Sequence, residues 1–487
     1  MTLKKTVIAV LFLFPLTACN YATSRWNAVS QGAPVPETPI GSEIPIEKIE
    51  APAEPQPTEL PTTEPLPPAV PTTPPPAAPA PLVPEWPLQV GTVSQERGQA
   101  VAADVQGDVY VAGWTDDGAA IDGFLIKYDT EGRELWRRSI GGAGEDFALA
   151  LAFDLQGDLY VAGRTTDEID GEPFAGGVSD LFIRKYRPDG NLVWNRLIGT
   201  ADGEELTAMA HWKESLYLVG HGARDIAIWR VNQTDGSHNP AADFRDFDGS
   251  SASDRVRDVA ADPDGNLFVV GETLGDFPHA QTQPRAGLPT FHTNRGGADG
   301  FLMHLDSDLT LIDTNVFGSA QDDVFHGVTA PDVSGLIIAG STLSADLSHL
   351  SNTPAAASNR FVMNFSRSGS RYAGRWAAQS GLRAPEAALK ARVDGHGDIW
   401  VLGSEGDRAV DADVFVTKYQ GATGAVLFDR SIGSSAYDEP AAIALDPAGN
   451  AFVTGFTQGI LGNTARDAAA TDDDPFVIGI GPNGELL

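Results

Sequence analysis

The chain has 487 residues, 66 of them acidic and 33 basic, for a formal charge of −33. So acidic a surface excludes a broad phosphate-neutralising face for nucleic acid or anionic lipid. A single cysteine excludes any intrachain disulfide, so the fold must hold by packing alone. Length by itself gives about three domains at roughly 150 residues each, an expectation that internal repeats override below.

The first element is N-terminal. Lys4 and Lys5 precede an apolar run, Val7 to Leu16, too short to span a bilayer comfortably. Leu16-Thr17-Ala18-Cys19 closes it, and Cys19 is the one cysteine of the chain. This start resembles a bacterial lipoprotein signal peptide. The resemblance implies that residues 1–18 are removed and that Cys19 becomes the acylated, palmitate-bearing N-terminus. Several acyl chains on one cysteine anchor firmly, since each buried methylene contributes about 0.8 kcal/mol. Asn20, in place of Asp, implies delivery to the outer membrane of the cell envelope.

Residues 19–84 follow as a linker. From residue 33 onward the segment is dominated by Pro, Ala, Thr and Glu and holds no aromatic residue. It cannot bury a core and favours extended polyproline II. At about 3.1 Å per residue it reaches on the order of 150 Å when fully extended. The expected task is that of a spacer.

From residue 85 a phrase recurs seven times: acidic-x-x-Gly-polar-apolar-aromatic-Val-x-Gly, as in Asp104 to Gly113. The closing glycines are Gly113, Gly163, Gly220, Gly271, Gly340, Gly403 and Gly455, spaced by 50, 57, 51, 69, 63 and 52 residues. A period near 40–50 residues made of strand-sized pieces is the signature of a β-propeller. In the first repeat strand a is expected at Ala100 to Asp104, b at Val109 to Gly113, c at Phe124 to Tyr128 and d around Leu135-Trp136. Asp122, Asp180, Asp225, Asp299, Asn359, Asp413 and Asp474 precede the successive c strands, where short polar side chains can bond a turn backbone. Trp136, Trp194, Phe244, Trp376 and Phe428 recur on strand d and are expected to pack between sheets.

The last repeat stops at Leu487 before its strand d, while a spare strand, Trp86 to Val90, precedes the first repeat. Residues 85–90 are therefore expected to complete the seventh blade and remove an exposed edge. The fold class is all-β: a seven-bladed propeller over 85–487, closed by its N-terminal strand and expected as a monomer. The pattern D-x-A-x-x-x-A-x-D, G-N-x-Y-V-x-G-x-T, D-x-F-x-x-K-Y resembles the bacterial SBBP β-propeller repeat family. Gly271-Glu272-Thr273-Leu274-Gly275-Asp276-Phe277-Pro278 adds a further family-like piece. Blade three departs, with His211-Trp212-Lys213-Glu214 in place of the Asp-x-x-Gly turn.

Chemistry is sparse. Seventeen residues before the repeat glycines stand Glu96, Asp146, Gly203, Asp254, Asp323, Glu386 and Asp438, with Glu204 and Glu205 after the exception. Such carboxylates could ring the mouth of a central channel and bind Ca²⁺ or a cationic ligand; otherwise each caps a turn or pairs with the next blade. No EF-hand, HExxH, GxSxG or P-loop spacing occurs, and His279 and His292 lie in the blade-four insertion. Thr423-Gly424 to Phe428 resembles the docking turn of quinone-cofactor propellers, a likeness that shared blade geometry explains. The sequence thus points to a lipid-anchored envelope binding or scaffold protein, not an enzyme, with a protein or polysaccharide partner and no cofactor. The alternative is an exported hydrolase, lyase or quinone-dependent oxidoreductase working at the channel mouth.

Overall fold

The computed structural model describes residues 86–487 apart from 90, 92–93, 223–225, 248, 251, 278–293, 346–353, 369–370, 382–384, 408–410 and 462–471. Cys19, Asn20, the 19–84 linker, Asp225, His279 and His292 lie outside the described residues.

The described residues form 28 strands in seven antiparallel four-stranded sheets. Each sheet runs a to d from the axis outward, and each strand a contacts the strands a of both neighbours, which closes the ring. This is the expected seven-bladed propeller. In blade one the strands are Gln95–Ala103, Val109–Asp116, Ile121–Tyr128 and Glu134–Ile140. Strand a therefore begins five residues before the position expected from its small residues. Its first half pairs Gln95 with Asp116, Glu96 with Thr115 and Arg97 with Trp114, after which a bulge at Gly98/Ala100 breaks the alternation. The same bulge recurs in every other blade, as at Ala148/Ala150 and Val256/Asp258.

That bulge explains the repeat glycines. A Cβ on Gly113, Gly163, Gly220, Gly271, Gly340, Gly403 or Gly455 would overlap a strand-a carbonyl oxygen at the bulge. In six blades it would also strike the ring of the strand-c Phe, as Gly113 would strike Phe124. Close backbone approach leaves room only for glycine.

The Asp-x-x-Gly phrase is a turn with a buried anchor. Asp104 Oδ1 accepts the amides of Gln106 (2.9 Å) and Asp108 (3.0 Å), while its other oxygen accepts from the Tyr110 hydroxyl at 3.1 Å. Gly107 supplies the left-handed residue, φ 87°. Lys127 of strand c then pairs with Asp108 at 2.8 Å and Lys185 with the equivalent Asp158 at 3.0 Å, while Lys185 and Lys418 also reach the turn anchors Asp154 (3.0 Å) and Asp394 (2.9 Å). Blade three turns on Lys213 and Glu214 instead, with Lys213 at φ 51°.

Among the described residues apolar packing is divided among seven clusters, one at each blade junction. The strand-d aromatics seal the outer rim. Trp136 Nε1 donates to the Pro188 carbonyl at 3.2 Å and Trp376 Nε1 to that of Gly421 at 2.8 Å, each in the hairpin of the next blade. Gly190, Gly236, Gly424 and Gly484 lie flat against Trp136, Trp194, Trp376 and Phe428. The Thr423-Gly424 turn is thus one copy of a rim contact that four blades share.

Closure follows the expected route. Leu88–Gln89 pairs antiparallel with Asp474–Ile480, Leu88 facing Val477, and completes blade seven. Gln89 Nε2 bonds Asp474 Oδ2 at 2.7 Å and the Gly459 carbonyl at 3.0 Å. Trp86 packs on Phe452 and Tyr128, rings from blades seven and one, at 5.2 and 6.3 Å. Trp86→Ala is expected to cost about 3–5 kcal/mol, measured as a lowered urea midpoint. A cost below about 1 kcal/mol would show that the latch is ornamental.

Candidate functional site

Side chains alternate along strand a, and the alternation decides what faces the axis. Glu96, Asp146, Asp254, Asp323, Glu386 and Asp438 stand at the mouth end of their strands, five of them as the first residue. All six are at most 6% exposed. None lines the central channel. The channel-mouth ring expected from sequence is therefore displaced: these carboxylates turn into the blade junctions, and in blades one, three, four and seven the next residue, Arg97, Glu205, Arg255 or Glu439, lines the channel.

In the junctions the carboxylates hold turns. Asp146 Oδ2 accepts the Gly142 amide at 2.8 Å, Asp323 Oδ2 that of Ser319 at 2.5 Å and Asp438 Oδ2 that of Ser434 at 2.6 Å; Asp254 bonds the Ser250 amide likewise. Glu204 does this in blade three, accepting the Thr200 amide at 3.0 Å. The acid's own amide reaches across to the previous blade: Asp323 N donates to the Ala298 carbonyl at 2.6 Å, and Asp438 N to that of Ala412 at 2.8 Å. Asp146, Glu204, Asp323 and Asp438 thereby meet the strand-c aspartates of the preceding blades, Asp122, Asp180, Asp299 and Asp413. Asp299 occupies the space where Gly318 would carry a Cβ, as Asp180 does at Gly199 and Asp413 at Gly433.

Two carboxyls meeting in a buried junction favour a proton. Burial pushes Asp299 up to about 7, and the nearby charge of Asp323 adds to this against the Arg295 amide bond and guanidinium. Burial also raises Asp146, Asp180, Asp323, Asp413 and Asp438, with Glu204 adding at Asp180 and the charge of Asp438 at Asp413. Asp299 and Asp323 each keep a buried Oδ1 without a hydrogen-bond partner. Blade five breaks the pattern informatively. Asn359 stands for the aspartate there, and Glu386 pairs with Arg360 at 3.2 Å. Among the described residues no three His, Cys, Asp or Glu side chains could hold a metal ion together. The calcium reading thus gains no site from these pairs.

The channel itself is a cavity of about 850 Å³, a size suited to a small-molecule or chain-segment ligand. Beside its mouth stand the two residues just past the landmarks of the repeat, one after the strand-a acid and one after the strand-b glycine, of which Arg97, Glu205, His221, Arg255, Glu439 and Phe456 line the cavity. They face each other as Arg97–Trp114, Phe147–Arg164, Glu205–His221, Arg255–Glu272 and Glu439–Phe456. Across blades seven, one and two these side chains form a continuous strip. Arg97 lies 4.0 Å over Phe456 and 5.5 Å from the Trp114 ring, Trp114 meets Phe147 edge-on at 5.6 Å, and Arg164 lies 4.1 Å over Phe147. Tyr437 extends it, 5.8 Å from Phe456. Arg97, Trp114, Phe147, Arg164 and Tyr437 are all half-buried, and Arg97, Tyr437 and Phe456 line the cavity. Sequence reading missed this strip, although it lies one residue beyond each repeat landmark.

Residues 248–278 match the family model of the SBBP beta-propeller repeat. The match covers strands a and b of blade four, whose phrase the other six blades repeat. No curated protein matches the chain in sequence. Among solved structures, Sqt1 of Chaetomium thermophilum bound to the N-terminus of ribosomal protein L10 is 13% identical, with TM-score 0.42 over 75% of this chain and 96% of that one. Polysaccharide lyase Uly1 is 10% identical, with TM-score 0.44 over 79% and 90%. Quinohemoprotein alcohol dehydrogenase from Comamonas testosteroni is 12% identical, with TM-score 0.42 over 82% and 77%. These likenesses span enzymes and a protein-binding propeller and do not separate the two roles for this chain.

The Asp299–Asp323 junction makes stability depend on pH. An unfolded aspartate titrates near 3.9, below the folded value, so the folded chain holds the proton more tightly. The contribution is complete below about pH 4 and is lost as pH rises through about 7. Asp299→Asn copies the natural Asn359 and is expected to flatten this decline, adding about 1–3 kcal/mol at pH 8. Thermal melts from pH 5 to 8 check it; parallel pH profiles for the two proteins would refute the shared-proton account.

Proposed function

We propose that this protein is a lipid-anchored binding protein of the bacterial cell envelope whose propeller presents its channel mouth to a protein or polysaccharide partner. The observation that carries the reading is the strip Tyr437–Phe456–Arg97–Trp114–Phe147–Arg164, whose first three members line an open channel. Half-buried aromatic rings interleaved with guanidinium groups are the side chains that contribute most to recognition per area buried. They sit on rigid strands, so little ordering accompanies binding. The role is binding without turnover.

The anchor rests on the lipoprotein-like start. Cys19 as the acylated residue and 19–84 as a spacer would hold the acidic propeller off the membrane, at the outer membrane if Asn20 sorts the chain as the resemblance implies. Fatty-acid labelling tests this part: the chain is expected to incorporate labelled palmitate, and Cys19→Ser to abolish both the label and membrane fractionation. Retained label in the variant would remove the anchor from the proposal.

The mouth is tested by capture from envelope extracts and polysaccharides, using the full chain. Trp114→Ala with Phe147→Ala is expected to lower capture of the partner about tenfold or more, a hot-spot loss of more than about 1 kcal/mol. Val105→Ala, at an exposed turn away from the channel, is expected to leave it unchanged. Equal losses at both places would mean that the mouth is not the binding face.

A further inference from the structure

We infer that the channel binds an anionic saccharide, a segment of a uronate-bearing polysaccharide, with its carboxylates against a cationic wall on blades four and six. This rests on the reading of the mouth as a binding face and assigns the ligand class.

The first ground is an inversion of charge. The chain carries twice as many acids as bases, 66 against 33. The channel lining reverses this, with Arg97, Arg255, Arg257, Lys390 and Arg392 against Glu205, Asp258 and Glu439. Five basic groups around one cavity in so acidic a protein concentrate positive potential where low-dielectric walls focus it.

The second ground is which of these cations are already committed. Arg97 pairs with Asp473 at 2.6 Å, Arg257 with Glu272 at 2.6 Å, and Lys390 with Asp258 at 3.0 Å. Arg255 has no hydrogen-bond or ion-pair partner among the described residues. Arg392 donates to the Ala391 carbonyl at 2.8 Å and meets no carboxylate among them. Both guanidiniums stand on strands a of blades four and six, Asp254–Ala261 and Glu386–Val393. Blade five between them is drawn in so closely that a Cβ on Gly327 would press on the Leu389 carbonyl. Lys390 Nζ spans the gap, reaching both Asp258 and the Arg257 carbonyl, the latter at 3.5 Å. Four of the five cationic side chains therefore stand on blades four and six, Arg255 near the mouth end of its strand and Arg392 near the far end, while Arg97 stands on blade one. The other wall acids, Glu205 and Glu439, stand at mouth level on blades three and seven.

The third ground is what accompanies the charge. Gln99, Thr207 and Tyr437 present neutral hydrogen-bonding groups to the cavity, and Tyr437 and Phe456 bring aromatic rings to it. Planar guanidiniums take carboxylates bidentately, neutral amides and hydroxyls suit sugar hydroxyls, and aromatic rings suit the C–H faces of sugar rings. An acidic glutamate peptide has no C–H ring face for the third of these sets, which is why the saccharide is favoured.

The test is isothermal titration calorimetry on the full chain with three probes: a galacturonate oligosaccharide, its neutral galactose counterpart of equal length, and a glutamate oligopeptide of equal charge. Galacturonate is expected to bind, with the other two weaker by about tenfold or more. Arg255→Gln with Arg392→Gln is expected to weaken galacturonate about tenfold or more while the melting temperature stays that of the parent. Arg255→Lys, which keeps the charge and loses the fork, is expected to fall between. Equal binding of neutral and acidic sugars, equal binding of the peptide, no uronate binding, or indifference to the double substitution each overturns the inference. If capture of a partner remains sensitive to Trp114→Ala in those cases, the mouth stands as a binding face and only the ligand class fails.

Discussion

Every strand of a propeller blade is paired within its own sheet, so the ring is held only by what passes between sheets. All seven junctions have chain continuity from strand d of one blade to strand a of the next; the one break lies inside blade seven, between strands c and d. Blade seven takes its outer strand from Leu88–Gln89 and so ties residues near 88 to residues near 477, the longest-range strand pairing among the described residues. The tie is small in hydrogen bonds and larger in packing, because Trp86 sits between Phe452 and Tyr128 and shares one cluster with Val101, Val111 and Val477. Without it the outer edge of strand c in blade seven would be open to other chains.

The same problem, joining sheets that share no ladder, is solved at the inner end by backbone and carboxyl groups. A glycine after strand d leaves a space, the strand-c aspartate fills it, and the acid that opens the next strand a bonds both the turn and the preceding blade. Glycine, aspartate and acid are far apart in sequence and act together only across the junction. The arrangement places like charges side by side in a dry setting, which a proton relieves at Asp299–Asp323. Blade five relieves it with an amide and an arginine, Asn359 and Arg360. That two solutions occur in one ring shows that the requirement is charge balance in the junction, not a particular ion.

Architecture was legible in the sequence because the same physical demands recur seven times. Gly113 and its six counterparts mark a close approach at a bulge, Asp104 and its counterparts a buried turn anchor, and Trp86 an unpaired strand. Strand bounds were less legible: strand a was expected only from Ala100, because bulge and polar side chains hide the pairing of Gln95 to Arg97 with Trp114 to Asp116. The acidic positions were found at the right residues and given the wrong direction. Spacing locates Glu96 or Asp323 along the strand, but the face a side chain takes depends on the alternation phase, and one residue of phase separates a junction from a channel.

That single residue of phase also divides structure from recognition. Positions inside the repeat are nearly uniform around the ring, since each must satisfy the same junction. The positions just after the acids are Arg97, Phe147, Glu205, Arg255, Val324, Ala387 and Glu439, two arginines and two glutamates among seven and no two neighbours alike. A symmetric ligand on the axis, such as one metal ion, would call for like groups around the ring. An uneven wall, aromatic and cationic over blades seven to two and cationic again at four, instead suits an extended ligand that meets each blade with a different part of itself. The sevenfold scaffold thus supplies position, and the departure from sevenfold symmetry at one register carries the specificity.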